Sequence, residues 1–339
     1  MGLLYDLSQK YKTLSIVGMS KNAGKTTALN YLIEEADDEC INLGITSTGR
    51  DGESTDLVTG TDKPRVYLYE DTIVTVPTQL YELAEAGLEI SHKSKYTTSI
   101  GELLLCRVVE SGYVQIAGPV AVADTKKMCK EMFGLGCELI LIDGAIDRKS
   151  IASPETSDAI ILSTGAVLSR TMKKVVEETA HIVNLYGLKE LEKGLIRDTI
   201  EQNCGNEKIM IVDKQGDVKV LNLLTGLGAS RFIDEAINDD TEAVFIPGAL
   251  TNSVISDIHP KKLKNIKFIL KDPTKIFIGS RDYNQLLKKG FNLQVLKNIE
   301  VAAITVNPYS PSGYSFEHEA LKSAMQEAVT GIPVIDVRI

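Results

Sequence analysis

The sequence is poor in the residues that build metal and disulfide sites. It contains four histidines and five cysteines, and no two cysteines form a CxxC pair. No spacing of these residues is typical of zinc ligands, so a structural zinc site is not expected. An odd number of cysteines without paired spacing favours a reducing compartment. We therefore expect a cytoplasmic protein in which Cys106 and Cys137 are small buried core residues.

Long apolar runs and an excess of basic charge are also missing. No stretch of ~20 apolar residues could cross a bilayer, and residues 1–11 lack the apolar core of a signal peptide, so neither element is expected. The net charge of −9 argues against a broad nucleic-acid surface, which is usually basic. It leaves room for a local basic pocket that binds nucleotide phosphates.

What the chain does have is the composition of a globular protein with a full core, 43% hydrophobic and 24% charged. Its 339 residues give room for about two domains. Short apolar runs alternate with helical patterns, which is typical of a parallel α/β sheet. In the first half we predict strands at residues 14–17, 41–45, 139–142 and 159–162, and helices at 26–35, 79–86, 120–133 and 168–186.

Two pairs of apolar runs predict hairpins that extend this sheet with antiparallel strands, residues 65–69 with 72–76 and 103–109 with 113–116. A polar stretch at 198–207 marks a possible boundary, so the predicted domains are residues 1–205 and 206–339. The second is a smaller α/β domain. Its predicted strands are 209–212, 218–224, 243–246, 267–270, 275–278, 301–306 and 333–337, and its helices 229–237, 282–289 and 316–329.

The most informative segment is Gly18-Met19-Ser20-Lys21-Asn22-Ala23-Gly24-Lys25-Thr26-Thr27. An apolar run precedes it and an apolar helical pattern follows, which is the strand–loop–helix context of a phosphate-binding loop. Backbone N–H groups would surround a phosphate at the positive end of the helix. The predicted nucleotide-binding residues are Ser20, Lys21, Asn22, Ala23, Gly24, Lys25, Thr26 and Thr27.

Two of these residues have predicted individual roles. Lys25 would reach the terminal phosphates, and the Thr26 hydroxyl would hold Mg²⁺. The alternative is a glycine-containing turn that happens to precede Lys-Thr-Thr. The segment also departs from the usual spacing, because Met19 stands where the first glycine is expected.

A second motif is the apolar run of residues 139–142 followed by Asp143 and Gly144. Such a run predicts a buried parallel strand, and ligands bind at the carboxyl ends of such strands. Asp143 is therefore a candidate Mg²⁺ ligand beside Thr26. The alternative is an Asp that caps the next turn.

The polar segment of residues 46–56 follows the second predicted strand. Asp51 or Glu53 could orient the attacking water of a hydrolysis reaction, and Thr46 or Asp51 could contact Mg²⁺. An ordinary solvated loop is the alternative. Residues 307–314, rich in proline and tyrosine, form another loop after a predicted strand, either a partner or ligand contact or a plain turn.

The 18–27 segment resembles the variant phosphate loops of dethiobiotin synthetase and of the molybdopterin-guanine dinucleotide accessory proteins, which belong to the SIMIBI class of P-loop NTPases. The implied fold is an α/β P-loop NTPase with a mostly parallel sheet, an antiparallel extension and a second smaller α/β domain. The resemblance implies ATP and Mg²⁺ as ligands. Homodimerisation is common in this class.

Together with residues 44–53, the same segment is similar to the P-loop subunit of lysine aminomutase reactivase. This resemblance implies an ATP-dependent factor that works with a MutS-like companion subunit to expel damaged cobalamin from lysine aminomutase. Two other readings stay open. One is an ATP-dependent ligase or kinase of the dethiobiotin synthetase type, and the other is a nucleotide-binding regulatory module without hydrolysis.

Overall fold

The computed structural model describes residues 2–48, 65–98, 100–144, 154–223 and 228–337. The chain divides into two compact units. The first is Met1–Ala180 together with Glu300–Ile339, and the second is His181–Ile299. The second unit is thus inserted into the sequence of the first, and the predicted boundary at residue 205 falls inside it.

The elements follow one another in chain order. Before the insertion the first unit contains α1 (Leu3–Ser8), β1 (Thr13–Gly18), α2 (Lys25–Asp38), β2 (Leu43–Ser47), β3 (Val66–Leu68), β4 (Ile73–Pro77), α3 (Thr78–Tyr81), β5 (Gly87–Thr98), β6 (Gly101–Glu110), β7 (Gly112–Val114), α4 (Val122–Gly134), β8 (Leu139–Asp143), β9 (Ala159–Gly165) and α5 (Met172–Tyr186). The boundary between the units falls inside α5.

The second unit then contributes α6 (Leu195–Asn203), β10 (Ile209–Asp213), β11 (Val218–Leu221), α7 (Ala229–Ala236), β12 (Thr241–Ile246), α8 (Asn252–Ile255), α9 (Pro260–Asn265), β13 (Lys267–Leu270), α10 (Ser280–Lys288) and β14 (Asn292–Val295). The chain returns to the first unit with β15 (Val301–Asn307), β16 (Tyr309–Ser310), β17 (Tyr314–Ser315), α11 (His318–Ala328) and β18 (Val334–Asp336).

Among the described residues, nine strands of the first unit form one sheet in the order β18-β15-β9-β1-β8-β2-β4-β6-β5. The strands from β18 to β4 run parallel, and β6 and β5 extend the sheet antiparallel. The central strands β1 and β8 are almost wholly buried, as expected for a sheet covered on both faces. The predicted mixed α/β architecture, with a mostly parallel sheet and an antiparallel extension, is confirmed.

Both predicted hairpins are wrong. Strand β3 pairs with β7, whereas β4 pairs with β2 and β6. Every residue of β4 is buried, so this strand belongs inside the large sheet and not in a two-stranded ribbon. The partner of β6 on its other side is β5, whose mostly exposed and polar sequence carries no apolar alternation.

The second unit has its own five-stranded sheet, in the order β11-β10-β12-β13-β14. Strands β12, β13 and β14 are parallel, and β10 and β11 form an antiparallel hairpin at one edge. Its core includes Phe245, Phe268 and Val295. The polar stretch that suggested a domain boundary is largely helix α6, which buries Ile200. No helix in the described ranges is both long enough and apolar enough to cross a membrane.

Candidate functional site

The segment of residues 18–27, hereafter the Lys25 loop, connects β1 to α2 at the carboxyl edge of the large sheet. The Met19 N–H donates to the Ser163 carbonyl on the neighbouring strand β9, at 2.9 Å, so the loop begins on a fixed base. Gly24 precedes α2 with φ +96°. A Cβ atom at Gly24 would lie 2.9 Å from the Asn307 Cβ. Both the left-handed backbone and the close approach therefore require glycine.

Lys25 is the first residue of α2, and its ammonium group bonds across to strand β8. The Nζ atom lies 2.5 Å from the Asp143 Oδ1 and also donates to the Gly144 carbonyl. Asp143 is in register with Ile16 of β1 and Ser47 of β2, so its carboxylate stands between the ends of two strands. The Lys25 and Asp143 side chains are 13% and 25% exposed, which makes this a mostly buried ion pair.

The other residues predicted for the loop surround this pair. Asn22 has φ +63°, and the Ala23 N–H donates to the Ser20 carbonyl at 3.3 Å. The Ser20 hydroxyl donates to the Lys21 carbonyl at 3.1 Å. Within α2 the repeating backbone pattern starts with the Ala28 N–H, which donates to the Gly24 carbonyl at 2.9 Å.

The first-turn residues Lys25, Thr26 and Thr27 come before that point. The N–H groups of the first helical turn have no acceptor within their helix. They therefore face the loop at the positive end of the helix dipole. This is the part of the site at which an anion would be stabilised by backbone donors.

Of the candidates after β2, Asp51 and Glu53 lie outside the described residues. Thr46 is fully buried, and its hydroxyl lies 2.8 Å from that of Thr75 within the sheet. The next described residues toward the site are Ser47 and Thr48, whose hydroxyl and backbone N–H respectively donate to the Asp143 carbonyl, at 3.0 and 3.2 Å. Thr46 therefore contributes to the sheet interior, and Ser47 and Thr48 both contact the backbone beside Lys25.

One component, whose role the sequence left open between a contact and a plain turn, is what we name the Asn307 strap (residues 307–315). Asn307 ends β15 and is 6% exposed. Its Nδ2 donates to the Asn22 carbonyl at 3.4 Å. Asn307 also lies opposite Gly165, where its carbonyl occupies the space that a Cβ would need.

The far end of the strap is fixed to the loop after β9. The Tyr314 hydroxyl donates to the Ala166 carbonyl at 2.6 Å, and the Arg170 guanidinium lies 5.7 Å from the Tyr314 ring centroid. The strap thus borders the Lys25 loop on the side opposite Asp143. A proline- and tyrosine-rich loop after a strand was a weak signal in the sequence. The position of the strap depends on pairing between β9 and β15, which the inserted unit separates in sequence.

Neither a family model nor a curated protein nor a solved structure matches this chain. What the site can do chemically follows from its own residues. An anion at the start of α2 would meet the first-turn N–H groups, the helix dipole and the Lys25 ammonium together. To reach the anion, Lys25 must exchange its bonds to Asp143 and Gly144, so binding is a replacement of partners and not a new charge contact.

The donor set beside Lys25 suits a hard cation. In the described part of the chain, no cluster of three or more His, Cys, Asp or Glu side chains could hold a metal ion. Asp143 supplies a carboxylate and Thr26 a hydroxyl, which are oxygen ligands of the kind Mg²⁺ accepts when phosphate oxygens and water complete its shell. These residues therefore fit a cation that arrives with a phosphate ligand, and do not form a closed all-protein site.

Proposed function

We propose that the first unit binds Mg²⁺ and a nucleoside triphosphate, ATP, at the Lys25 loop and hydrolyses the triphosphate. The observation that carries the proposal is Lys25 itself. It combines the first helical position of α2, a preceding left-handed Gly24, and an ammonium group that bonds to the Gly144 carbonyl and the Asp143 carboxylate at the sheet edge. This combination of helix start, glycine loop and lysine is suited to binding a polyphosphate.

In this proposal each residue has a limited task. Backbone N–H groups of the first turn of α2 and of Gly24 bind phosphate oxygens, and Lys25 transfers its hydrogen bonds from Asp143 to the terminal phosphates. Thr26 and Asp143 would then hold Mg²⁺, which supplies charge stabilisation for phosphoryl transfer. Asp51 or Glu53 remains the predicted residue that orients the attacking water. Water adds to the γ-phosphorus, the bond to the bridging oxygen breaks, and ADP and phosphate leave.

The narrower role that we propose is that of an ATP-dependent reactivating factor, and it rests on the sequence similarity of residues 18–27 and 44–53. Such a factor would act with a MutS-like companion subunit on lysine aminomutase that holds damaged cobalamin. A ligand shifts a conformational equilibrium only through different affinities for the two states. The factor would therefore bind the opened mutase more tightly in one nucleotide state than in the other.

The test is ATP hydrolysis by the purified chain, alone and with lysine aminomutase and its companion subunit. Lys25→Ala is the inactive variant, and Lys10→Ala, an exposed lysine after α1, is the matched control. We expect the mutase to stimulate hydrolysis. Lys25→Ala should abolish hydrolysis, and Lys10→Ala should leave it unchanged. ATP binding without hydrolysis under all conditions would contradict the reactivating role and favour a ligase or kinase. Equal ATP affinity of Lys25→Ala and the wild type would contradict the site itself.

A further inference from the structure

A chain of hydrogen bonds leads from the Lys25 loop to the end of the first unit's sheet. His318 is the first residue of α11, and its Nδ1 lies 2.7 Å from the Asp336 Oδ2 at the end of β18. Its Nε2 lies 2.9 Å from the Tyr309 hydroxyl in the Asn307 strap. The Asp336 side chain is fully buried, whereas Tyr309 is 46% exposed.

The direction of each hydrogen bond follows from the groups that take part. An ionised Asp336 only accepts, so the proton of a neutral His318 lies on Nδ1. The Nε2 atom of the neutral ring then accepts from the Tyr309 O–H, and a protonated ring would donate to the Tyr309 oxygen instead, so the two groups are bonded in either state. The orientation of the ring is thereby set on both sides, which fixes Tyr309 relative to α11 and β18.

Tyr309 in turn determines how Asn307 presents its amide. The Tyr309 backbone N–H donates to the Asn307 Oδ1 at 3.1 Å, so the amide NH₂ faces the Asn22 carbonyl. Asn22 and Gly24 both have positive φ angles, +63° and +96°. Asn307 therefore contacts the part of the Lys25 loop that has the least favourable backbone conformation for an ordinary residue.

We propose that Tyr309, His318 and Asp336 are positioning residues for the Lys25 loop. They hold the Asn307 strap in place, and Asn307 keeps the Asn22–Gly24 segment in the conformation that directs its N–H groups at a phosphate. None of the three has to contact the nucleotide. The effect on nucleotide binding rests on the function proposed above, whereas the effect on the loop itself does not.

The decisive variant is Tyr309→Phe, which removes one exposed hydroxyl and little else. The matched control is Tyr113→Phe on β7, where the tyrosine is 45% exposed. His318→Asn keeps an N–H donor near the Nδ1 position for Asp336 but loses the acceptor for Tyr309. The first readout needs no ligand and is hydrogen–deuterium exchange of the Met19 and Ala23 backbone amides, whose N–H groups donate to the Ser163 and Ser20 carbonyls.

We expect exchange of these two amides to rise about two- to tenfold in Tyr309→Phe and His318→Asn, the range that one lost hydrogen bond gives. Tyr113→Phe should exchange at the wild-type rate. Wild-type exchange in Tyr309→Phe would overturn the proposal. A third variant, His318→Ala, removes the donor to Asp336 as well; if it alone changes exchange, His318 serves Asp336 only and the proposal is overturned.

The second readout is calorimetric affinity for ATP and for inorganic tripolyphosphate, each with Mg²⁺. Both affinities should fall by a similar factor, about two- to tenfold, in Tyr309→Phe, because the strap shapes the phosphate-binding backbone and not a base pocket. Loss of ATP affinity without loss of tripolyphosphate affinity would contradict the positioning role. If the wild type binds neither ligand, the proposed function fails, and the exchange experiment still decides the role of the strap.

Discussion

Replacing Lys25 tests the site most directly, and the structure sets the size of the effect. In the free protein Lys25 already bonds to the Asp143 carboxylate and the Gly144 carbonyl. Hydrogen bonds to charged groups contribute about 1.5–3 kcal/mol each. Because binding exchanges these partners for phosphate oxygens, the net gain is about one such bond. At about 1.4 kcal/mol per factor of ten, Lys25→Ala should weaken ATP affinity about ten- to a hundredfold.

The Asp143→Asn variant should change ATP affinity in opposite directions without and with Mg²⁺. Without Mg²⁺, loss of the carboxylate frees Lys25 and removes a negative charge near the triphosphate, so ATP affinity should rise about three- to tenfold. With saturating Mg²⁺ the same variant should bind ATP more weakly than the wild type, because the proposed metal ligand is lost. Titration calorimetry with Mg²⁺ and with EDTA measures both.

Thermal unfolding of both variants serves as the control for folding. We expect both variants to unfold cooperatively, with a lower melting temperature for Lys25→Ala because the mostly buried Asp143 carboxylate then lacks its cation. An Asp143→Asn variant that shows the same Mg²⁺ dependence as the wild type would refute the role of Asp143. A Lys25→Ala variant with undiminished ATP affinity would refute the exchange of partners on which the magnitude depends.

Three further predictions concern the scaffold. Gly24→Ala should lower the free energy of unfolding by about 1–2 kcal/mol because of its positive φ, whereas Gly134→Ala, with open space around it, should not; urea titration measures both. Arg197→Met should cost about 2–4 kcal/mol, because its guanidinium donates to the Leu191 and Leu296 carbonyls at 2.6 and 2.7 Å. Exposed Arg231→Met is its control and should change stability by less than about 0.5 kcal/mol. Burial raises the thiol pKa of Cys106, Cys129 and Cys137 to about 12, so a thiol reagent at pH 8 should modify only Cys40 and Cys204 before unfolding. Above about pH 8.5 the folded state then holds more protons than the unfolded state. The contribution of these thiols to the free energy of unfolding is therefore complete below that pH and should fall as the pH rises toward 12.

Local signals in the sequence were sufficient to predict the Lys25 loop, helix α2 and strand β8. A glycine turn between an apolar strand and an amphipathic helix is recognisable within about 20 residues, and four apolar residues before Asp143 define a buried strand end. The hairpin of β10 and β11 was also predictable, because Asp213 and Gly216 supply turn chemistry between two short apolar runs.

Features that depend on distant pairing were not predictable. Most residues of strand β5 are exposed. Its place beside β6 comes from backbone pairing and not from side-chain alternation. The predicted helix at 79–86 shortens to Thr78–Tyr81 for the same reason, since the chain must reach β5. The predicted strand at 275–278 is instead a short 3₁₀ turn, Pro273–Lys275, with a single bridge at Ile276.

The domain boundary and the position of the Asn307 strap could not be predicted for related reasons, because neither is encoded in a local sequence pattern. Residues 198–207 are polar because α6 is amphipathic, with Ile200 buried beneath charged neighbours, and polarity alone does not separate such a helix from a linker. Asn307 reaches the Lys25 loop only because β15 pairs with β9 across the inserted unit. No local pattern reports a contact between residues that far apart in sequence.

The insertion also determines the order in which the strands of the large sheet are synthesised. When β9 emerges, its partner β15 is still about 140 residues away, so one side of β9 remains an open edge during synthesis. Closing an unfolded loop of that length costs about 4 kcal/mol in chain entropy. If the inserted unit folds first, it removes most of that cost. Nascent chains released after residue 299 should therefore contain a folded second unit, and should acquire the Asn307 contact to the Lys25 loop only when the last 40 residues arrive.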